Sequence, residues 1–292
     1  MSITHLIIDE RSRDIGDFLV GRFLPFREKR MVGPFIFLDH MGPSQLGKGR
    51  YLDVDQHPHI GLSTLTYLLE GEIEHRDSLG TVQRITPGDV NLMNAGSGVT
   101  HTERTPQELR QHRSVVHGYQ IWLALPLENE DVAPQFHHVA GADLPEWNEG
   151  DASFKLIVGE AFGRKSPVPV CSHMFMMEID CPEAFTLDVS DGLHGEIGIM
   201  VTEGLVRVCD SSVAKGRMLV TGSEDTCQVE VSGGSKIFLL GGEPFPEERY
   251  IDWNFVSHSK KKLQTAKEDW LAWRFPVVPG DASYVPYPNK KA

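Results

Sequence analysis

The sequence predicts an all-β protein built from two related strand-rich domains, with a short helix near the C-terminus. Three observations carry this. Short apolar runs recur along the 292 residues, among them Ser63 to Leu69, Val90 to Asn94, Tyr119 to Leu125, His173 to Ile179, Ile197 to Val201 and Ile237 to Leu240. Gly, Pro, Asn and Asp interrupt them, as in Pro87-Gly88-Asp89 and Ser232-Gly233-Gly234, a rhythm of strands and turns that favours a sandwich or barrel. Finally, the text repeats. Glu70-Gly71 and Asp77 return as Glu203-Gly204 and Asp210, each 133 positions later, and Gly88 matches Gly222 after a one-residue slip.

In chain order, the first copy occupies residues 1–135. The boundary is expected in the polar, irregular stretch from Asn129 to Leu144, so that residues 136–292 form the second domain. Helical spacing emerges only from Ser259 to Phe275, where Leu263, Ala266, Trp270 and Trp273 recur every three or four residues. Lys260 to Lys262 are expected on its solvated face. Phe275-Pro276 and Pro279-Gly280 stop the helix, and the Pro-rich remainder is expected to lie extended over the surface.

Composition narrows the function classes. With 40% apolar and 24% charged residues the chain can bury a core. A net charge of −13 disfavours phosphate backbones and anionic membrane surfaces as partners. No apolar run approaches the ~20 residues that span a bilayer. The chain reaches Asp9, Glu10 and Arg11 without a long apolar stretch, so a cytoplasmic location without a secretory signal is expected. Cys171, Cys181, Cys209 and Cys227 show no CxxC spacing and are expected to be four reduced thiols. GxSxG, Walker and GxGxxG patterns are missing, which leaves acyl-transfer triads and nucleotide cradles unsupported.

The chemistry-bearing residues lie in the first half. In an extended strand residues i and i+2 share a face, so His57 and His59 of His57-Pro58-His59 point together. After the Gly-rich turn Asn94-Ala95-Gly96-Ser97-Gly98, a second such pair follows in His101-Thr102-Glu103. Imidazoles with one carboxylate suit a divalent transition ion and not calcium or magnesium. Four donors leave one or two positions open on a five- or six-coordinate ion, which is the arrangement of a catalytic site.

At these residues the sequence resembles the cupin superfamily, and more closely the pirin family. His57-Pro58-His59 through Thr66-Tyr67-Leu68-Leu69-Glu70-Gly71 looks like the pirin form of the first cupin motif. Pro87-Gly88-Asp89 through Gly96-Ser97-Gly98-Val99-Thr100-His101-Thr102-Glu103 looks like the second. Gly33 to Asp39, Gln120 to Leu123 and Gly241 to Pro244 extend the similarity over most of the chain. The glutamate that follows the second histidine by five residues in other cupins is Thr64 here, and Glu103 stands in for it, as in pirins. The family string HPHRGFET is altered, with Ile60, Leu62 and Ser63 where Arg, Phe and Glu are common.

The resemblance implies a bicupin, two double-stranded β-helix (jelly-roll) barrels face to face. The metal would lie only in the N-terminal barrel, held by His57, His59, His101 and Glu103. Fe2+ is the expected ion, with Cu2+, Ni2+, Mn2+, Co2+ and Zn2+ as alternatives. Some bacterial pirins open the flavonol ring of quercetin with dioxygen, which makes a dioxygenase acting on a small flavonol-type aromatic the leading expectation. Glu103 would be its catalytic base. An animal pirin is an iron-dependent transcriptional coregulator, so the alternative is a non-enzymatic, metal-dependent regulator of a protein partner. A monomer is expected in either case. The second domain is expected to be metal-free, because Ser190 and Gly192 stand 133 positions after His57 and His59 and its His194 stands alone. Among other histidines, His75 shares the inward parity of Leu65, Tyr67, Leu69 and Ile73 and is read as a hydrogen-bonded core residue or a wall of the site, and His40 as a residue of a loop-like stretch, with a place at the cavity's border the minor reading.

Overall fold

The structure is a computed structural model and describes residues 6–14, 19–47, 49–190, 192–222 and 228–288. It is all-β, with one α-helix among the described residues. The repeat is explicit in the topology. The first copy consists of β1 (Phe35–Leu46), β2 (Asp53–His59), β3 (Leu62–Glu70), β4 (Ile73–Asp77), β5 (Val82–Ile85), β6 (Val90–Asn94), β7 (Val99–Arg104) and β8 (Ser114–Ala124). The second consists of β9 (Met174–Cys181), β10 (Phe185–Leu187), β11 (Glu196–Glu203), β12 (Leu205–Val208), β13 (Ser211–Ala214), β14 (Arg217–Gly222), β15 (Val229–Val231) and β16 (Ser235–Gly242). The first copy forms one sheet in the order β6-β3-β8-β1 and another in the order β2-β7-β4-β5. The second repeats this as β14-β11-β16-β9 and β10-β15-β12-β13. Each copy is thus an eight-stranded, two-sheet barrel of the kind the resemblance implies.

The Glu-Gly repeat marks the end of the central strand in each barrel. β3 reads Leu62-Ser63-Thr64-Leu65-Thr66-Tyr67-Leu68, rich in residues that suit a pleated surface, and is buried on both faces between β6 and β8. Gly71, just beyond it, has φ +86°, and a Cβ there would stand 2.0 Å from the Val115 carbonyl oxygen. Only glycine fits that turn. Around these strands, Met41, Leu46, Leu52, Leu68, Ile73, Ile85 and Val116 form a core in the first barrel. Phe154, Phe175, Ile197, Ile199, Leu219, Ile237 and Leu239 belong to that of the second.

The chain does not divide at one point. One compact unit gathers residues 13–20 and 39–138 with the described residues from 246 onward, and the other gathers the described residues up to 12 with 21–38 and 139–245. The single cut expected between 135 and 136 therefore gives way to interleaved segments. The N-terminal strand Leu6–Asp9 pairs with β14, Leu6 opposite Val220. The segment after Pro246 joins the unit that holds His57 and His101.

That returning segment contains a short hairpin, Tyr250–Asp252 with Phe255–Ser257, then α1 (Lys260–Leu271). Ser259 caps α1 by accepting from the Lys262 amide. Leu263, Ala266 and Trp270 are buried as the spacing predicts. The helix ends one turn early, because Trp273 adopts φ 56° and its amide reaches back to the Trp270 carbonyl. Trp273 thus leaves the expected stripe, is 63% exposed and stacks on Tyr284 instead. Lys262 is not simply solvated. It pairs with Glu130 and Asp131 at 3.3 and 2.7 Å. Nor does the tail merely cover the surface, since Val278 and Tyr287 are buried.

The cysteines also differ from expectation. Cys171 and Cys181 are outside any disulfide, but Cys209 is disulfide-bonded, so the reading of four reduced thiols does not hold. Cys227 lies outside the described residues. No helix among the described residues is long and apolar enough to cross a membrane.

Candidate metal centre

The site is built by two antiparallel neighbours. β2 and β7 pair with His57 opposite His101 and His59 opposite Val99. Strand alternation puts His57 and His59 on one face, and the register brings His101 alongside them. The ring centroids of His57 and His101 are 4.3 Å apart, those of His57 and His59 5.1 Å, and those of His59 and His101 5.0 Å. One ring nitrogen from each histidine lies within 4.8 Å of the other two, the one such group of three among the described residues. All three rings are buried, His59 and His101 at 1% exposure.

Burial sets the charge state. It lowers the His57 pKa to about 4, although the hydrogen bond to the Asp55 carbonyl pulls the other way. His59 and His101 are pushed well below the ordinary imidazole value, again by burial first and then by repulsion among the neighbouring rings. At neutral pH the rings are therefore neutral, the form that can ligate a metal.

Hydrogen bonds then decide which nitrogen carries the lone pair. His57 Nδ1 donates to the Asp55 carbonyl at 2.8 Å, and His59 Nδ1 donates to the Asn254 carbonyl at 3.1 Å. In a neutral ring a donating Nδ1 leaves Nε2 as the bare acceptor. His101 Nδ1 is engaged with His75 Nδ1 at 3.3 Å, and its Nε2 is buried with no hydrogen-bond partner. An imidazole nitrogen buried without a partner is costly unless something else fills its lone pair. Two neutral imidazoles with lone pairs on Nε2 and a third whose buried Nε2 has no partner fit a divalent transition ion.

Glu103 is on the same strand as His101 but its carboxylate is not part of the triad's 4.8 Å group. A bulge shifts the β2–β7 register between His101 and Glu103, so Glu103 faces Val54. Its side chain hydrogen-bonds to Thr66 of β3, whose Oγ1 lies 2.9 Å from Gln120 Oε1. Burial raises its pKa to about 7, with the Thr66 hydrogen bond opposing the shift. His75 is both buried and in contact with the site, bonded to Asp77 and stacked on Phe136 at 4.6 Å. His40 lies in β1 rather than a loop and reaches His117, Nε2 to Nε2 at 2.9 Å. In the other unit His194 is not alone, since its ring stacks on His173 with centroids 3.3 Å apart.

Three contributors escaped the sequence reading. Asp77 was detectable, because His75-Arg76-Asp77 is another same-face i,i+2 pair. Asn254 and the tail residues around Ser283 were not, since each meets the site across some two hundred residues of sequence. Ile60, one of the altered motif positions, packs with Phe255, Leu263, Ala266 and Trp270 of the returning segment.

Comparison with known proteins bears on the family and the fold. Residues 18–123 match the Pirin family and residues 176–276 match the Pirin C-terminal cupin domain. A pirin-like protein of Caulobacter vibrioides is 45% identical over 288 residues, covering 97% of this chain and 99% of the relative. A crystal structure of quercetin 2,3-dioxygenase from Acinetobacter baumannii is 34% identical, with a TM-score of 0.87 over 99% of this chain and 97% of that one. A second structure of that name from the same organism is 25% identical, with a TM-score of 0.83 over 94% and 97% of the two chains. Both barrels are thus cupin domains, and with 45% identity along almost the whole of a pirin-like relative, the chain belongs to the pirin family.

Proposed function

We propose that the protein is a metal-dependent dioxygenase that opens a flavonol-type aromatic such as quercetin. The observation that carries this is the triad itself, three buried neutral histidines with one ring nitrogen each within 4.8 Å of the others. The likeness to quercetin 2,3-dioxygenase of Acinetobacter baumannii supports the substrate class. His57, His59 and His101 would hold the ion, Fe2+ being the one favoured by the pirin resemblance, with Glu103 as fourth donor. A divalent ion bound there supplies Lewis acidity and open positions that lower the pKa of a phenolic hydroxyl.

The chain's own groups account for the proton. A base works best when its pKa lies near the operating pH, and burial places Glu103 at about 7. Held on Thr66, its carboxylate stands beside the triad rather than within it. In this reading Thr66 steadies the ionised carboxylate, which turns toward the triad to bind or to accept the hydroxyl proton of the substrate. Trp122, whose ring lies 5.2 Å from that of His59, adds an apolar wall that suits an aromatic ligand.

Oxygen uptake and loss of the flavonol absorbance, followed after reconstitution with each metal singly, test the proposal. Wild type should turn over quercetin with at least one metal. Glu103→Gln, which fills the same space but cannot accept the proton, should lose about 100-fold or more in kcat. Absence of turnover with every metal, together with metal-dependent capture of a protein partner, would instead establish a regulator.

A further inference from the structure

We propose that Asp77 and His75 form a buried relay that fixes the tautomer of His101 so that its Nε2 faces the metal. The two are positioning residues for the centre. The inference rests on the reading of His57, His59 and His101 as ligands.

Each link is a short contact in a dry environment. Asp77 Oδ2 lies 3.1 Å from His75 Nε2, and His75 Nδ1 lies 3.3 Å from His101 Nδ1. Asp77 is fully buried, His75 is 5% exposed and His101 1%. The other Asp77 oxygen, Oδ1, accepts from the Leu79 and Thr81 amides at 2.9 and 3.0 Å, which locks the carboxylate in place. Phe136 stacks on the His75 ring and holds its plane.

The proton positions follow from donor and acceptor rules. An ionised carboxylate only accepts, so His75 Nε2 must carry a hydrogen. His101 Nε2 has no acceptor within reach, so the single hydrogen of that ring belongs on Nδ1, and the group there to receive it is His75 Nδ1, which must then carry a lone pair. His101 must therefore donate from its own Nδ1, which leaves Nε2 without a hydrogen. That nitrogen is the one buried without a partner. The relay thus delivers the ligating tautomer before any ion arrives. It also orients the ring, as the outer partners of metal-bound histidines commonly do.

Asp77→Asn reverses the logic with almost no change in shape. The two backbone amides at Oδ1 require the amide oxygen of the asparagine to stay there. Its NH2 then faces His75 Nε2 and turns that nitrogen into an acceptor. His75 must donate from Nδ1, His101 must accept at Nδ1, and its Nε2 acquires the hydrogen. A comparable reversal accounts for the loss seen when the carboxylate behind a catalytic histidine becomes an amide.

Two measurements test this. Nitrogen-15 NMR of histidine-labelled, metal-stripped protein reads the tautomer directly. Wild type should show protonated Nδ1 and bare Nε2 at His101, and Asp77→Asn the reverse. Competition titration with Zn2+ against a chelator should show about 10- to 100-fold weaker binding in Asp77→Asn. In a His75→Phe background the same substitution should cost nothing further, whereas a simple loss of negative charge would persist there. A protonated Nε2 at His101 in wild type, or Zn2+ affinity in Asp77→Asn within twofold of wild type, would overturn the relay. Wild type that shows the expected tautomer but binds no Zn2+ would overturn the ligand reading while leaving the relay standing.

Discussion

An imidazole has one lone pair to give when neutral, and the contact made by its other nitrogen decides where that pair sits. His57, His59 and His101 each spend Nδ1 on another group, the first two on backbone carbonyls and the third on a histidine. That shared commitment, more than proximity alone, distinguishes a metal centre from a cluster of core histidines. Ligand binding to the native state stabilises it by about 4 kcal/mol at a thousandfold excess over Kd. Metal-stripped wild type should therefore melt several degrees higher when Zn2+ is added, and His57→Ala and His101→Ala should not. Elemental analysis should find these variants depleted of metal as purified. Full metal occupancy in both would remove the triad from consideration. The i,i+2 rule made His57, His59 and His101 legible in the sequence. It put Glu103 on the same footing, but it could not foresee the bulge that sets Glu103 opposite Val54.

At the level of elements, α1 is held to the barrel by a buried carboxylate. Glu130 is 1% exposed and accepts from Ser257 Oγ, the His258 amide and His258 Nδ1, while Lys262 and the fully buried side chain of Arg249 stand 3.3 and 3.4 Å away. Burial alone would raise its pKa, but the hydrogen bonds to His258 and Ser257 outweigh it and hold the carboxyl below its ordinary value. A depressed carboxylate contributes stability that is fully present above its unfolded value of about 4.5 and is lost as pH falls through the lower folded value. The protection of α1 amides, taken relative to their intrinsic exchange rate at each pH, should therefore fall on acidification below about pH 4.5. Glu130→Gln should lose about 3 kcal/mol at pH 7, since it removes the buried carboxylate beside Arg249 and leaves only Glu247, which is partly exposed, as a counter-charge. Equal α1 protection at pH 7 and pH 4 would discard Glu130 as the anchor. The helix was readable because its apolar spacing matches 3.6 residues per turn; its anchor was not, because a glutamate in a polar stretch gives no sign of burial.

For the molecule as a whole, the candidate metal centre depends on sequence far beyond the strands that carry His57, His59 and His101. His59 is oriented by the carbonyl of Asn254. Gln56, beside His57, is clamped by the tail, its side chain accepting from the Val278 amide at 2.6 Å and donating to the Ser283 carbonyl at 3.0 Å. Its backbone amide meets Ser283 Oγ, and its carbonyl receives the Val285 amide. Gly61 closes the same joint, because a Cβ at its φ of +66° would stand 2.0 Å from the Val256 carbonyl oxygen. Periodicity and repeat revealed two barrels because both are local patterns, but pairing between residues 56 and 283 has no local signature. A chain ending at residue 245 would keep His57, His59, His101 and Glu103 and all sixteen barrel strands defined above. It would lose the acceptor for His59 Nδ1, the clamp on Gln56 and the packing of Phe255 and Trp270 against Ile60. Such a chain is expected to bind Zn2+ at least 10-fold more weakly than the full chain, the scale set by loss of one outer partner, and to exchange the amides of β2 faster. Zn2+ affinity equal to that of the full chain would mean that the two strands alone preorganise the triad, and that the returning segment serves stability without serving the site.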